Sequence, residues 1–257
     1  MQRGRETVRR LSPRQREIQE RERLILDVAR GMLLERGYYG LTMDRIAEQA
    51  ECPKGTMYQR FGCKEDIVMA LACQCLENRL AMMRRGVAFE GRARERLMAM
   101  GEAVGIYTRL HPGDSRILHI ATGPIREKAS PERLGAMIRV ENESVALLES
   151  VLRDAIAEGD LDLHGDATVE EIVLGLWSLV DGSYVLIESG IPQTTLGIHD
   201  PFHRMWRAVN RFADGYGWRP LFSEWDYEET MARIRQAVFP DEAQELYGKG
   251  VWYGDRK

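Results

Sequence analysis

Between Lys54 and Arg60 the chain reads Lys-Gly-Thr-Met-Tyr-Gln-Arg, and five of these side chains, Lys54, Thr56, Tyr58, Gln59 and Arg60, can donate hydrogen bonds. Wound into a helix, the segment turns Met57 and the nearby Phe61, four residues apart, back towards a shared core. Cations and hydroxyls suit phosphate oxygens. A glutamine carboxamide can pair with an adenine edge through two hydrogen bonds, a contact that discriminates by about 1 to 3 kcal/mol. The chemistry on offer is recognition of a nucleic-acid duplex.

Such a helix needs a scaffold, and the residues before it supply one. Thr42 is placed to cap a helix in which Met43, Ile46, Ala47 and Ala50 recur three or four apart, and Glu51-Cys52-Pro53 interrupts it. Two short helices about a three-residue break describe a helix-turn-helix. Upstream, a long helix is expected from Ser12, with Ile18, Leu24, Ile25, Val28, Met32 and Leu33 on its apolar side and Gly37 as its stop.

The segment resembles the TetR/AcrR family of transcriptional regulators, whose usual sequence here runs roughly G-V-S-K-G-T-L-Y-x-Y-F-x-S-K-E-x-L. This chain has Glu51-Cys52-Pro53-Lys54-Gly55-Thr56-Met57-Tyr58-Gln59-Arg60-Phe61-Gly62-Cys63-Lys64-Glu65-Asp66-Ile67. Ile25, Ala29, Leu33, Gly37, Tyr38 and Leu41 resemble the family's first helix and following turn, so the likeness covers roughly residues 24–71. It implies that Lys54 reaches base edges, that Thr56, Tyr58 and Lys64 meet phosphates, and that Gln59 reads a base. Arg60 serves a groove wall or the backbone, and Thr42 is counted with them. Two positions depart from the family: Pro53 removes a side-chain cap but suits a first helical turn, and Gly62-Cys63 replaces a polar pair.

Net charge is −4 over 257 residues, yet it is uneven. Residues 1–64 hold 14 Lys and Arg against 9 Asp and Glu, and the remainder 22 against 31. Positive potential confined to one end is what a local duplex-binding surface needs. Residues 1–16 carry six arginines against one glutamate, a flexible arm that either adds DNA contacts or is a solvated tail. No apolar run approaches the roughly 18 residues of a membrane span, and no signal-peptide core opens the chain, so a cytoplasmic protein without membrane association is expected. Cys52, Cys63, Cys73 and Cys75 form no secretory disulfide framework; Cys73 and Cys75, two apart on a helix, point away from each other.

Beyond Lys64 the pattern is helical throughout: Lys64 to Arg85, Gly91 to Leu110, Ser115 to Ala121, Pro131 to Glu158, Thr168 to Ser189 and Pro201 to Tyr216. The expected fold is all-α, with a three-helix DNA-binding domain over residues 17–64, a larger helical effector-binding and dimerisation domain over 65–217, and an aromatic extension over 218–257. Thr168 to Ser189 is apolar nearly all round and must be covered on both sides. Gly175, Ser178 and Gly182 give it a small-residue stripe for close approach of another helix. The resemblance implies a homodimer built on this helix and the next, placing two recognition helices on a palindromic double-stranded DNA operator.

A small-molecule site is expected among these helices, with Met100, Tyr107, Met137, Glu141, Trp177 and Tyr184 as candidates; each also reads as ordinary core, and Glu141 as a paired surface carboxylate. His199 and His203 share a helical spacing, but Asp200-Pro201 starts a helix between them, so no metal site is expected. No cofactor motif and no catalytic set of groups emerges. Trp218, Phe222, Trp225, Tyr227, Trp252 and Tyr253 make the extension either a cover for the dimer or ligand entrance or a passive wrap, with a helix over Glu229 to Val238. The reading is a repressor released by a small effector; the alternatives are a ligand-independent or activating regulator and, from another class, a helical enzyme.

Overall fold

Ser12 begins the first helix by reciprocal capping: its hydroxyl accepts from the Gln15 amide (3.2 Å) while the Gln15 carboxamide accepts from the Ser12 amide (2.9 Å). The computed structural model describes residues 12–248. The residues before Ser12 in the basic arm, and Trp252 and Tyr253, lie outside the described residues. Helix α1 spans Pro13–Gly40, and Gly37 breaks it at φ 67°, so that a last turn carries Tyr38 and Tyr39 out of line with the rest. There follow α2 (Met43–Gln49), α3 (Lys54–Arg60), α4 (Lys64–Val87), α5 (Ala93–Leu110), α6 (Pro112–Ile120), α7 (Pro124–Lys128) and α8 (Pro131–Ala157). The chain continues with α9 (Val169–Glu188), α10 (Ile191–Thr194), α11 (Pro201–Gly215), α12 (Tyr227–Val238) and α13 (Pro240–Tyr247). The described residues hold helices and no strand.

The chain divides into two compact units. The first comprises the residues up to Cys75 together with Gly113–Met137. Ile25, Ala29, Leu33, Leu41, Ile46, Met57, Phe61, Ile67 and Leu71 are its buried apolar side chains from the first four helices. Ile117, Ala121 and Ile125 add the contribution of α6 and α7. Thus the unit that holds the helix-turn-helix takes in a segment far along the chain, which no local pattern announces. Polar contacts fasten it: Arg30 pairs with Asp114, Arg133 with Glu22 (3.0 Å), and the Asp66 carboxylate accepts from the amides of Gly62 (3.1 Å) and Ser130 (2.7 Å). Cys75 is buried beside Arg30 and Asp114, and burial pushes its thiol up to about 12.

The second unit comprises Leu76–Pro112 and the residues from Ile138 on. Its centre is α5, whose Ala93, Leu97, Met98, Ala99, Met100, Ala103 and Ile106 are buried with Val151, Leu152 and Ala155 of α8 and Ile172, Val173 and Leu176 of α9. The extension belongs to this core. Trp218, Tyr227, Met231, Ile234, Phe239 and Tyr247 are buried in it, and α12 begins at Tyr227, two residues earlier than the spacing suggests. Charged groups on α5 hold the extension. Arg94, 0% exposed, donates to the Asn210 carbonyl (2.7 Å), to Asp214 (2.9 Å) and to the Trp218 carbonyl. Glu95 takes Arg233 and the Thr230 hydroxyl (3.2 Å), and Glu102 takes Arg235 (2.6 Å) and the Tyr247 hydroxyl (2.8 Å).

Helix α9 is covered along one side only: Ile172, Val173, Leu176 and Tyr184 are buried, whereas Leu174, Trp177, Val185 and Leu186 are exposed. The small-residue stripe is also divided. A Cβ on Gly175 would stand 2.2 Å from the Phe212 ring, so this glycine admits α11 of the same chain, while Ser178 and Gly182 are exposed. Removing one partner of a buried ion pair strands the other. Arg94→Ala is therefore expected to lower the unfolding free energy by about 3 to 5 kcal/mol, as measured by urea denaturation.

Candidate nucleic-acid interface and effector site

Thr42 caps α2, its hydroxyl accepting from the Arg45 amide at 3.3 Å. Helix α3 begins without a side-chain cap, because Pro53 stands at its N-cap rather than inside its first turn. The Pro53 carbonyl accepts from the Thr56 (2.9 Å) and Met57 (3.0 Å) amides instead. Met57 and Phe61 are fully buried, which fixes the outward rotation of the remaining side chains. Lys54, Tyr58 and Gln59 are exposed, and Thr56 and Arg60 half-buried, so the structure brings these five donors together on the outside of α3.

Two lysines differ in what they face. Lys54 pairs with Asp44 of α2 at 2.7 Å, both side chains largely exposed, and this hydrogen bond raises the ammonium pKa. Asp44, Glu48, Glu51 and Lys54 line a shallow groove between the two helices, with Glu51 held at φ 48°. Lys64, by contrast, donates to the carbonyls of Tyr38 and Leu41, both at 3.3 Å, and lies 3.9 Å over the Tyr38 ring. It closes the C-terminal end of α1, where orphan carbonyls and the helix dipole favour a cation. Its neighbour Glu65 accepts from the Tyr38 hydroxyl. Burial would raise Glu65, but the Tyr38 hydroxyl and its own backbone amide outweigh this and lower it; burial, then the Glu65 bond, push Tyr38 up to about 12.

In the second unit, Met100, Tyr107 and Tyr184 are buried. The Tyr107 ring lies tilted against His111 at 4.8 Å and the Tyr184 ring tilted against Phe202 at 6.0 Å. Glu141 is half-buried. Trp177, 40% exposed, donates its indole N–H to Asp181 on the outer side of α9, away from the buried Tyr184. Met137 is buried in the first unit. Sequence spacing missed the Arg79, Arg109 and Glu102 groups around Tyr184, because charged residues there read as a solvated helix face. Among the described residues no group of three or more His, Cys, Asp or Glu is arranged to hold a metal ion. Asp200 caps α11 through the His203 amide (3.1 Å), which leaves His199 outside the helix.

Comparison with known proteins agrees with this geometry. Residues 25–71, all within the first unit, match the model of bacterial regulatory proteins of the tetR family. These residues are a TetR-family DNA-binding segment, and the chain that carries them is a transcriptional regulator. It is 23% identical over 188 residues to a fatty acid metabolism regulator protein of Bacillus subtilis, covering 68% of this chain and 94% of that one. A solved tetR-family regulatory protein of Rhodococcus RHA1 shares the fold with a TM-score of 0.58 at 18% identity, over 77% of this chain and 98% of the other. The fatty acid degradation regulator FadR of Bacillus halodurans does so with a TM-score of 0.57 at 16% identity, over 82% of this chain and all of that one. The regulator binds DNA and is not an enzyme. No helix among its described residues is long and apolar enough to cross a membrane.

Releasing Lys54 from Asp44 is expected to strengthen duplex binding. Asp44→Asn should leave the melting temperature unchanged and steepen the slope of log K against log salt by up to about 0.9, the share of one phosphate contact. Lys64→Met should behave oppositely, lowering the unfolding free energy by about 1 to 3 kcal/mol through the exposed carbonyls it leaves behind. The Tyr38–Glu65 contact also sets a pH window. Glu65, lowered, contributes stability above its ordinary 4.5 that is lost as pH falls; Tyr38, raised, contributes below 10.0 and loses this as pH climbs to about 12. Melting scans of Tyr38→Phe beside wild type should show a smaller loss above pH 10.

Proposed function

We propose that the regulator is a homodimeric repressor whose two α3 helices read a palindromic operator and which a small molecule releases. Lys54 and Gln59 reach base edges, and Thr42, Thr56, Tyr58 and Arg60 meet the backbone. Lys64 acts by holding the end of α1 rather than by touching a phosphate. The single observation that carries this reading is the set of exposed donors on α3, backed by buried Met57 and Phe61, inside the segment that matches the tetR family.

The exposed stripe of Leu174, Trp177, Val185 and Leu186 on α9 supports the dimer, since an apolar helix face of this length is rarely left to water. On this reading Trp177 belongs to the subunit interface, and Met100, Tyr107 and Tyr184 belong to the effector region of the second unit. The names of the two fatty-acid regulators support an effector drawn from fatty-acid metabolism. Residues 17–64 act as the DNA-binding domain, with the basic arm before it as an additional phosphate contact.

Gel-shift titration with DNA upstream of the reading frame tests the proposal. Wild type is expected to bind specifically at fixed salt. A Lys54→Ala, Gln59→Ala double variant should lose specificity, by roughly ten-fold or more at an adenine it reads. Trp177→Arg is expected to sediment as a monomer and to bind the palindrome more weakly. Specific binding that survives the double variant would overturn the assignment of the reading residues.

A further inference from the structure

Seven buried side-chain polar atoms of the second unit have no hydrogen-bond partner among the described residues, Nε of four arginines, two indole nitrogens and one hydroxyl; they include the Tyr184 hydroxyl on α9 and Nε of Arg79 on α4. Both atoms are buried. Tyr184 is 4% exposed, and Thr108 lies beside its hydroxyl without completing a hydrogen bond of good geometry. Buried donors are nearly always satisfied in native proteins, and the Tyr184 hydroxyl is the one hydroxyl among these atoms, lying within the field of the Arg79 charge.

The neighbouring charges are already engaged. Glu102 accepts from Arg235 (2.6 Å) and from the Tyr247 hydroxyl (2.8 Å). Arg109 donates to the Gly105 carbonyl (2.9 Å) and to the Tyr247 hydroxyl, and lies over the Phe202 ring at 5.1 Å. Arg79 has no ion pair among the described residues, yet its charge acts on the Tyr184 hydroxyl together with that of Arg109. Burial outweighs both cations and pushes Tyr184 up to about 12, so the hydroxyl is a neutral donor at physiological pH. Both groups converge on Gly105: a Cβ there would stand in ordinary contact with Nη2 of Arg109 (3.7 Å) and with Oη of Tyr184 (3.8 Å).

We propose that Arg79 and Tyr184, flanked by Arg109, are the anchor for the anionic head group, carboxylate or phosphate, of an organic effector. One oxyanion accepts from the Tyr184 hydroxyl and supplies the counter-charge for Arg79 at the same time. A neutral head group leaves that guanidinium unpaired, and a cationic one is repelled, so the site selects by charge. The inference rests on the reading that the second unit binds an effector, and it names the chemistry of that effector's polar end.

The test uses the full chain without DNA, and follows its melting midpoint against dodecanoate, dodecyl phosphate and dodecanol, each kept below micelle formation. At least one of the two anions is expected to raise the midpoint in a saturable way while dodecanol does not, and the stronger of the two identifies carboxylate or phosphate. Arg79→Gln and Tyr184→Phe are each expected to weaken that anion by about ten-fold or more. Without ligand, Tyr184→Phe should melt no lower than wild type, because the hydroxyl it removes has no partner to lose. The proposal is overturned if neither anion shifts the midpoint, if dodecanol shifts it equally, or if both variants respond as wild type does. Because no DNA is present, failure here is distinct from failure of the gel shift, which would remove the repressor reading and leave the anion site standing.

Discussion

Charge buried on α5 is the constraint around which the second unit is organised. Arg94, Glu95 and Glu102 are almost wholly removed from water, and an ion in that setting is tolerated only when it is paired and hydrogen-bonded. Besides the local Arg92 amide, which donates to Glu95, the partners come from far along the chain, from Asn210, Asp214 and Trp218 for Arg94, from Thr230 and Arg233 for Glu95, and from Arg235 and Tyr247 for Glu102. The aromatic extension is therefore part of the core rather than a surface wrap. Trp218, Tyr227 and Phe239 supply the apolar burial, and the ion pairs fix which way α12 and α13 lie against α5.

The first unit solves a different problem. A recognition helix of seven residues is too short to hold its own conformation. Met57 and Phe61 anchor it from below, Asp66 ties the turn after it to the start of α8 through the amides of Gly62 and Ser130, and Lys64 closes the frayed end of α1. The donors of α3 remain at the surface, with Lys54 paired to Asp44. An acidic groove beside an exposed lysine weakens indiscriminate attraction to phosphate.

Release by an effector requires a ligand that binds one arrangement of the protein better than another, since equal affinity for both shifts nothing. An unpaired guanidinium and an unsatisfied hydroxyl inside the second unit are a store of such differential affinity. They cost stability in the free protein and are satisfied only when the ligand is present.

The helix-turn-helix and its exposed donors were legible in the sequence because they depend on local periodicity, on caps such as Ser12, Thr42 and Asp200, and on residues four apart such as Met57 and Phe61. The longer helices from Lys64 to Gly215 were readable within a few residues for the same reason, and the short α7, α10 and α13 were missed because one or two helical turns carry little periodic signal. Spacing alone could not tell that Lys64 faces carbonyls, since a cation after a recognition helix fits a phosphate equally well. Nor could it separate Trp177 from Tyr184: both lie on a helix apolar all round, and only the arrival of α11 at Gly175 decides which side is buried. The sequence by itself determined the TetR-type helix-turn-helix, the all-helical class and the donors that α3 leaves exposed. Tertiary structure decided that Gly113–Met137 joins the helix-turn-helix unit, that the extension is core, and that the Tyr184 hydroxyl is buried without a partner, because each depends on long-range packing of groups that no local pattern connects.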